Sequence, residues 1–198
     1  MEADFILAGV GGQGIILAGD ILAGVGLQAG SDVKKSEVHG MAQRGGVVTS
    51  HVRWGRRVRS PLAEPGRVGF LVGFEALEAA RAASYLRPGG LAVVNRYRLP
   101  PPAVTAGEAV YPADDQVAAA IQSRGAALEW VPAQEEALRL GNPAVAGVYL
   151  LGWLSGAGVL GQAVAEETWV DVLEGLVPPA HRDLNRLAFR QARAARTA

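Results

Sequence analysis

The segment from Phe5 to Gly14 constrains the fold more than any other part of the chain. Phe5-Ile6-Leu7-Ala8 is a short apolar run of the kind that forms a buried strand. It passes directly into Gly9-Val10-Gly11-Gly12-Gln13-Gly14, and an apolar helical stretch follows from Ile15 to Leu27. A buried strand, a glycine turn and an apolar helix open an α/β fold of Rossmann-like type. The glycines let the backbone turn tightly and come close to a ligand, and the helix start offers free N–H groups and the positive end of a dipole to an anion. A dinucleotide site also wants an acidic residue about twenty positions on, at the end of strand two. Asp32 precedes that strand, and Glu37 lies nearer the right place but beside His39. Three readings of the loop stay open: close packing alone, an anionic ligand other than NAD, and a dinucleotide.

The pattern continues as alternating strand and helix. Val33–Val38 is the expected second strand, and Val47–Trp54, β-branched and alternating, the third. A turn at Gly55–Arg57 and a return strand at Val58–Ser60 would make Val47–Ser60 a β-hairpin appended to the parallel core. Val68–Phe74 and Leu91–Asn95 read as core strands, with a helix from Glu75 to Leu86 between them. Pro100-Pro101-Pro102 is a stiff connector, Asp114-Asp115 opens a helix reaching Ser123, and Ala127–Val131 is the last strand. The expected architecture is one α/β domain over residues 1–198: three layers, a mostly parallel sheet and a helical C-terminal third.

Composition narrows the function classes. Nineteen basic and 19 acidic residues leave no net charge, so no global field attracts nucleic acid or an anionic membrane. With no cysteine, the chain cannot supply a disulfide, a thiolate nucleophile or the thiolate ligands of an iron–sulfur cluster. The acidic start Met1-Glu2-Ala3-Asp4 does not read as a secretory leader, which makes the expected location cytoplasmic. Between Arg139 and Glu166 no residue is charged, a length that could span a bilayer. Asn142-Pro143 instead reads as a helix start, glycines interrupt the run and no basic cluster flanks it, so a helix pair buried against protein is expected.

The segment Ser36–Gly46 concentrates polar side chains with glycine: Glu37, His39, Gln43 and Arg44 among Gly40, Gly45 and Gly46. Loops of this composition commonly bind something. Arg44 can grip a phosphate or carboxylate through two parallel hydrogen bonds. His51 is expected to make a hydrogen bond that fixes the hairpin, and Arg53 an ion pair. The basic stripe Arg182, Arg186, Arg190 and Arg193 on the last helix reads as a solvated face.

These pieces together resemble the gamma-type subunits of the 2-oxoacid:ferredoxin oxidoreductases, nearest the indolepyruvate (aryl-pyruvate) type. The matching segments are AGVGGQG at Ala8–Gly14, DVKKSEVHGMAQRGG at Asp32–Gly46, SHVRWG at Ser50–Gly55 and SPL at Ser60–Leu62. LVGFEALEA at Leu71–Ala79, LRPGGLAVVN at Leu86–Asn95 and GNPAVAGVYLLG at Gly141–Gly152 follow in order. The resemblance implies oxidative decarboxylation of a 2-oxoacid to an acyl-CoA, with electrons passed to ferredoxin. It implies thiamine diphosphate and iron–sulfur clusters on a large catalytic partner, coenzyme A as co-substrate, and no cofactor bound by this chain alone. The chain would be a heteromer subunit inactive by itself, with no catalytic residue and no metal of its own. Its cofactor-binding or partner-facing residues would be Gly9, Gly11, Gly12, Gln13, Gly14, Glu37, His39, Gln43, Arg44, Gly45 and Gly46. The alternatives are a free-standing NAD(P) dehydrogenase, suggested by the glycine loop alone, and a pure assembly module.

Overall fold

The computed structural model describes residues 1–40 and 46–197. Six strands form one sheet: β1 (Ala3–Val10), β2 (Asp32–His39), β3 (Val47–Gly55), β4 (Val68–Gly73), β5 (Leu86–Asn95) and β6 (Ala127–Val131). Their spatial order is β2-β3-β1-β4-β5-β6. The β1–β4, β4–β5 and β5–β6 pairings are parallel, and β3 runs antiparallel to both β1 and β2. Five strands therefore point one way, as the α/β pattern predicts, with β3 reversed among them.

Nine helices cover the two faces among the described residues: α1 (Ile15–Gln28), α2 (Ala76–Ala82), α3 (Pro102–Thr105), α4 (Asp114–Gln122), α5 (Ala133–Arg139), α6 (Ala146–Ser155), α7 (Gly158–Ala163), α8 (Glu166–Leu176) and α9 (Arg182–Thr197). Alternate residues of each strand supply the two apolar layers. Phe5 and Leu7 of β1 pack with α1, α6, α8 and α9, while Ile6 and Ala8 pack with α2 and α4. The charge-free stretch after Arg139 forms α6 and α7, with α6 almost wholly buried against protein. Asn142 caps its leading turn, accepting the Ala144 N–H at 3.0 Å. The glycines of this run serve packing: a Cβ on Gly152 would strike the Phe189 backbone of α9, and one on Gly147 would lie 2.8 Å from the Phe74 ring. No helix among the described residues is long and apolar enough to cross a membrane.

The hairpin differs from expectation. No strand forms at Val58–Ser60; β3 instead pairs with β2 on one side and β1 on the other. The hairpin is thus β2–β3, inserted into the sheet next to β1. The reason lies in burial. Ser50, His51, Val52 and Trp54 are all buried, so β3 is covered on both faces, and its backbone N–H and C=O groups, shut off from water there, are paired on both edges. The segment after β3 is held by side chains: Val58 N–H donates to Asp32 at 2.7 Å, and Ala63 N–H to His51 Nδ1 at 3.1 Å. Arg53 pairs with Asp4 through two hydrogen bonds of 2.8 and 3.1 Å and donates to the Ser60 and Leu62 carbonyls. The expected helix Glu75–Leu86 also ends early. It tightens into a 3₁₀ turn at Ala83–Tyr85, and Leu86 already begins β5.

Candidate functional site at the glycine loop

β1 connects by α1 toward β2 on one side, and β4 connects by α2 toward β5 on the other. The carboxyl ends of β1 and β4 therefore flank the switch point of the sheet, where open α/β folds bind ligands. The glycine loop is at that point. Gly12 (φ +99°) and Gly14 (φ +81°) occupy the left-handed region that disfavours side chains. Gly14 is the N-cap of α1, whose first turn has neither a side-chain cap nor an acidic residue. Its free N–H groups and dipole thus face outward. Gln13 turns inward: its Oε1 accepts the Val10 N–H at 2.7 Å and stitches the loop to the strand end. A cleft of about 570 Å³ opens beside it, lined by Gly11, Gly12, Gln13, Gly14, Phe74, Asn95, Tyr97, Gln134 and the start of α6, with no charged side chain. A smaller recess of about 200 Å³ lies on the other flank, against Ile15, Ile16 and Val48.

The floor of the larger cleft is rigid. Asn95 is buried, donates to the Phe74 carbonyl at 3.3 Å and accepts the Gln134 N–H at 3.1 Å, so it ties β4 and β5 to α5. Behind it the buried Glu75 accepts from the N–H of Glu78 at 3.0 Å, the N–H of Leu99 at 3.0 Å and the Tyr111 hydroxyl. Burial, followed by that bond to Glu75, pushes the Tyr111 hydroxyl pKa well above its ordinary value. Burial also raises the Glu78 carboxyl, although Arg81 lies 2.6 Å away. Glu75, Asn95 and Tyr111 had no role in the sequence reading. The signal for Glu75 was present: a carboxylate after a strand with a second one three residues on is a helix-start pattern.

The candidate residues divide. Gly9, Gly11, Gly12, Gln13 and Gly14 sit together, and Gly46 joins them because its carbonyl accepts the Gly11 N–H at 3.0 Å. Gln43, Arg44 and Gly45 lie outside the described residues. Glu37 and His39 are on the edge strand, with β3 between them and β1. Glu37 is level with Ser50 of β3 and thereby with Leu7, well below the loop. It is bound to Lys35 at 2.6 Å, and Lys35 also reaches Asp20 of α1 at 2.5 Å. Burial opposes the Lys35 ammonium, but these two hydrogen bonds outweigh it and raise its pKa. The acidic residue that a dinucleotide ribose requires would have to come from a strand adjacent to β1; here that neighbour is β3, and Glu37 is two inter-strand spacings away, roughly 10 Å. The geometry weighs against the dinucleotide reading. His51 is paired across β3 with Ser36, on the opposite face from Glu37. It makes a hydrogen bond, but to the Ala63 N–H in the segment after β3 and not within the expected hairpin, and burial lowers its pKa. Three of the four arginines in the α9 stripe form ion pairs rather than a merely solvated face: Arg186 with Glu174, and Arg190 and Arg193 with Glu166.

A parallel-sheet switch point with a glycine loop, fed from the side by an inserted antiparallel hairpin, matches a known class. The chain belongs to the pyruvate ferredoxin/flavodoxin oxidoreductase family, whose pattern it matches over residues 4–195. Within that family it is similar to proteins named indolepyruvate oxidoreductase subunit IorB. The relative from Thermococcus kodakarensis is 36% identical over 189 residues, covering 95% of this chain and 93% of the relative. That from Pyrococcus horikoshii is 35% identical over 190 residues, covering 95% and 93%. Among solved structures, the gamma subunit of a keto/oxoacid ferredoxin oxidoreductase from Geobacter sulfurreducens shares the fold with a TM-score of 0.70 at 22% identity over 98% of both chains. The 2-oxoglutarate:ferredoxin oxidoreductase from Magnetococcus marinus, solved with 2-oxoglutarate, coenzyme A and succinyl-CoA, shares it with a TM-score of 0.74 at 20% identity. This chain matches 31% of that longer one.

Proposed function

We propose that the chain is the non-redox, gamma-type subunit of a cytoplasmic 2-oxoacid:ferredoxin oxidoreductase of the indolepyruvate type, folded as one domain over residues 1–198. The observation that carries this reading is similarity along nearly the whole chain to relatives named as subunits of indolepyruvate oxidoreductase. The residues fit a division of labour. Without cysteine the chain offers no thiolate to a cluster, which agrees with what the family resemblance implies, thiamine diphosphate and the clusters on a large partner subunit. The cleft is neutral and glycine-walled, and among the described residues the Tyr97 hydroxyl is the one acid–base group on its wall. Its contribution is to bind and cover.

Two features suit the glycine loop to an anionic group such as a coenzyme A phosphate. The start of α1 is uncapped, and Gly11 carries no side chain to hold a ligand off. Coenzyme A, when bound, supplies the thiol that accepts the acyl group. The residues of this chain would orient it and keep water from the acyl transfer. Gly46, which follows Gln43, Arg44 and Gly45 in sequence, stands beside Gly11 at this edge.

Co-expression with a thiamine- and cluster-bearing large subunit tests the proposal. The isolated chain should be colourless and inactive, and the reconstituted complex should couple indolepyruvate and coenzyme A to ferredoxin reduction. Tight binding of NAD(P)H by the isolated chain, followed by cofactor fluorescence, would overturn it in favour of a dehydrogenase.

A further inference from the structure

The edge of the sheet opposite the glycine loop gathers six exposed arginines with little carboxylate against them. At that edge β1, β4, β5 and β6 begin and β3 ends. Arg56, Arg57 and Arg59 lie on the segment leaving β3, Arg67 just before β4, Arg87 at the start of β5 and Arg124 just before β6. All six are exposed. Arg124 is carried to this edge because the Gly125 carbonyl next to it accepts the Gly89 N–H at 2.8 Å. Among the described residues, Arg56, Arg57, Arg59, Arg87 and Arg124 form no ion pair, and Arg67 has only a loose one with Glu64 at 3.7 Å. Elsewhere the arginines are largely matched: Arg53, Arg81, Arg98, Arg139, Arg186, Arg190, Arg193 and Arg196 each meet a carboxylate. Two acids at the basic edge are already engaged, Asp4 by Arg53 and Asp32 by Lys34 and the Val58 N–H. That leaves Glu2 and Glu64 against six arginines. A chain of zero net charge therefore holds a local positive field at one end.

The charges also have a shaped centre. Arg57, Arg67 and Arg87 line a cleft of about 390 Å³ together with Gly69, Phe70, Trp54 and two carboxylates, Glu2 and Asp4, the second of which Arg53 already holds. The Arg87 guanidinium lies over Gly69, its Nε 3.6 Å from where a Cβ would stand. Guanidinium groups in such a setting match carboxylates fork to fork. The arginines extend from β3 to β6, four inter-strand spacings or roughly 19 Å at about 4.8 Å each. That width exceeds the reach of one phosphate or one small polyacid and suits a protein face.

We propose that this arginine edge is a docking surface for the carboxylate-rich face of an acidic protein partner, with the Arg57–Arg67–Arg87 cleft receiving the anchoring side chains. It stands at the far end of the strands from the glycine loop, about 25 Å away for eight residues. Docking there leaves the glycine-loop edge free.

The test uses the full chain and three labelled probes followed by fluorescence anisotropy: a twelve-residue Glu-rich peptide, its Gln counterpart and an oligothymidylate of equal charge. The Glu peptide should bind and weaken steeply as salt rises, and the Gln peptide should not bind. The double variant R57Q/R87Q should lose about tenfold in affinity or more, with an unchanged melting temperature because both side chains are exposed. R186Q, which removes a paired arginine on α9, should leave binding as it is. Three results each overturn the proposal: no salt-sensitive binding of the Glu peptide, equal affinity of wild type and R57Q/R87Q, or tighter binding of the oligothymidylate.

Discussion

Gly9 and Gly11 belong to one motif, and the structure gives them opposite duties that a pair of alanine substitutions can separate. A Cβ on Gly9 would stand 2.6 Å from Gln13 Oε1, 2.7 Å from Phe74 Cβ and 3.0 Å from Ile15 Cδ1. The Phe74 Cβ is anchored to β4 and cannot retreat, so the methyl overpacks the junction, at about 1–3 kcal/mol. It also pushes aside the Gln13 oxygen that satisfies the Val10 N–H, and an orphaned N–H costs about 1–3 kcal/mol more. Gly9→Ala should therefore destabilise the chain by about 2–6 kcal/mol. Gly11 is exposed, its φ lies outside the left-handed region, and the nearest atom to its Cβ would be the Gly46 carbonyl oxygen at 3.8 Å. Gly11→Ala should change stability by less than about 0.5 kcal/mol. Urea unfolding of the free chain measures both. A Gly9→Ala chain within 1 kcal/mol of wild type, roughly the floor of a real packing effect, would refute the assignment of the first glycine to packing. Gly11→Val then isolates the functional half. Its stability should hold while turnover of the reconstituted complex falls, because a branched side chain stands where a ligand or partner approaches. Wild-type turnover for Gly11→Val would show that nothing comes close to the loop.

Three further outcomes follow from the same physics. Burial lowers the His51 pKa, so the native state resists its protonation; stability should fall as pH drops through about 6.5 and level off below the lowered native value. The His51→Gln chain should lack that step in urea unfolding at pH 5 against pH 7.5. Gly152→Ala places a methyl against the Phe189 backbone and should cost about 3 kcal/mol or more, read as a lower melting temperature, since α9 must move away from α6. Arg44→Ala should leave the melting temperature of the free chain unchanged. It should lower complex turnover or the apparent affinity for coenzyme A by roughly ten- to a hundredfold, the loss of one charge-assisted hydrogen bond; steady-state kinetics with a pull-down of the large subunit decides it.

Local signals carried most of the fold. The apolar run Phe5–Ala8, the glycines after it and the helix from Ile15 are contiguous, and each step is decided within a few residues. The strands at Val68–Gly73 and Ala127–Val131 were equally legible, because four to six apolar residues between turn signals admit few readings. The return strand at Val58–Ser60 failed for a reason no window contains. The Val58 N–H is taken by Asp32, 26 positions away, and the Ser60 carbonyl by Arg53, and β3 had already spent its two edges on β1 and β2. Glycine content was legible as composition but not as contact. By propensity alone the glycines of α1 are weak helix positions. In the fold, Gly19 lets Ser50 lie against the helix and Gly26 does the same for the Trp54 indole.

The site was half legible for the same reason. A glycine motif after a strand announces a switch-point turn, but the fingerprint rests on a second assumption, that β2 neighbours β1. The inserted β3 breaks it. The register carries Glu37 down to the level of Leu7, where Lys35 binds it, and the carboxylate expected near a ribose becomes part of an edge-strand ion pair. The insertion also has a constructive effect. Because β3 enters beside β1 running the other way, its first residues arrive at the carboxyl end of β1, and the Gly46 carbonyl takes the Gly11 N–H. The glycine turn and the polar loop, separated by some thirty residues of sequence, are joined at one edge by that reversal. A conventional parallel β1–β2 pairing would also bring the end of β2 to this edge. Only the antiparallel return delivers the far end of the loop, next to Arg44 and Gly45 in sequence, against the turn itself.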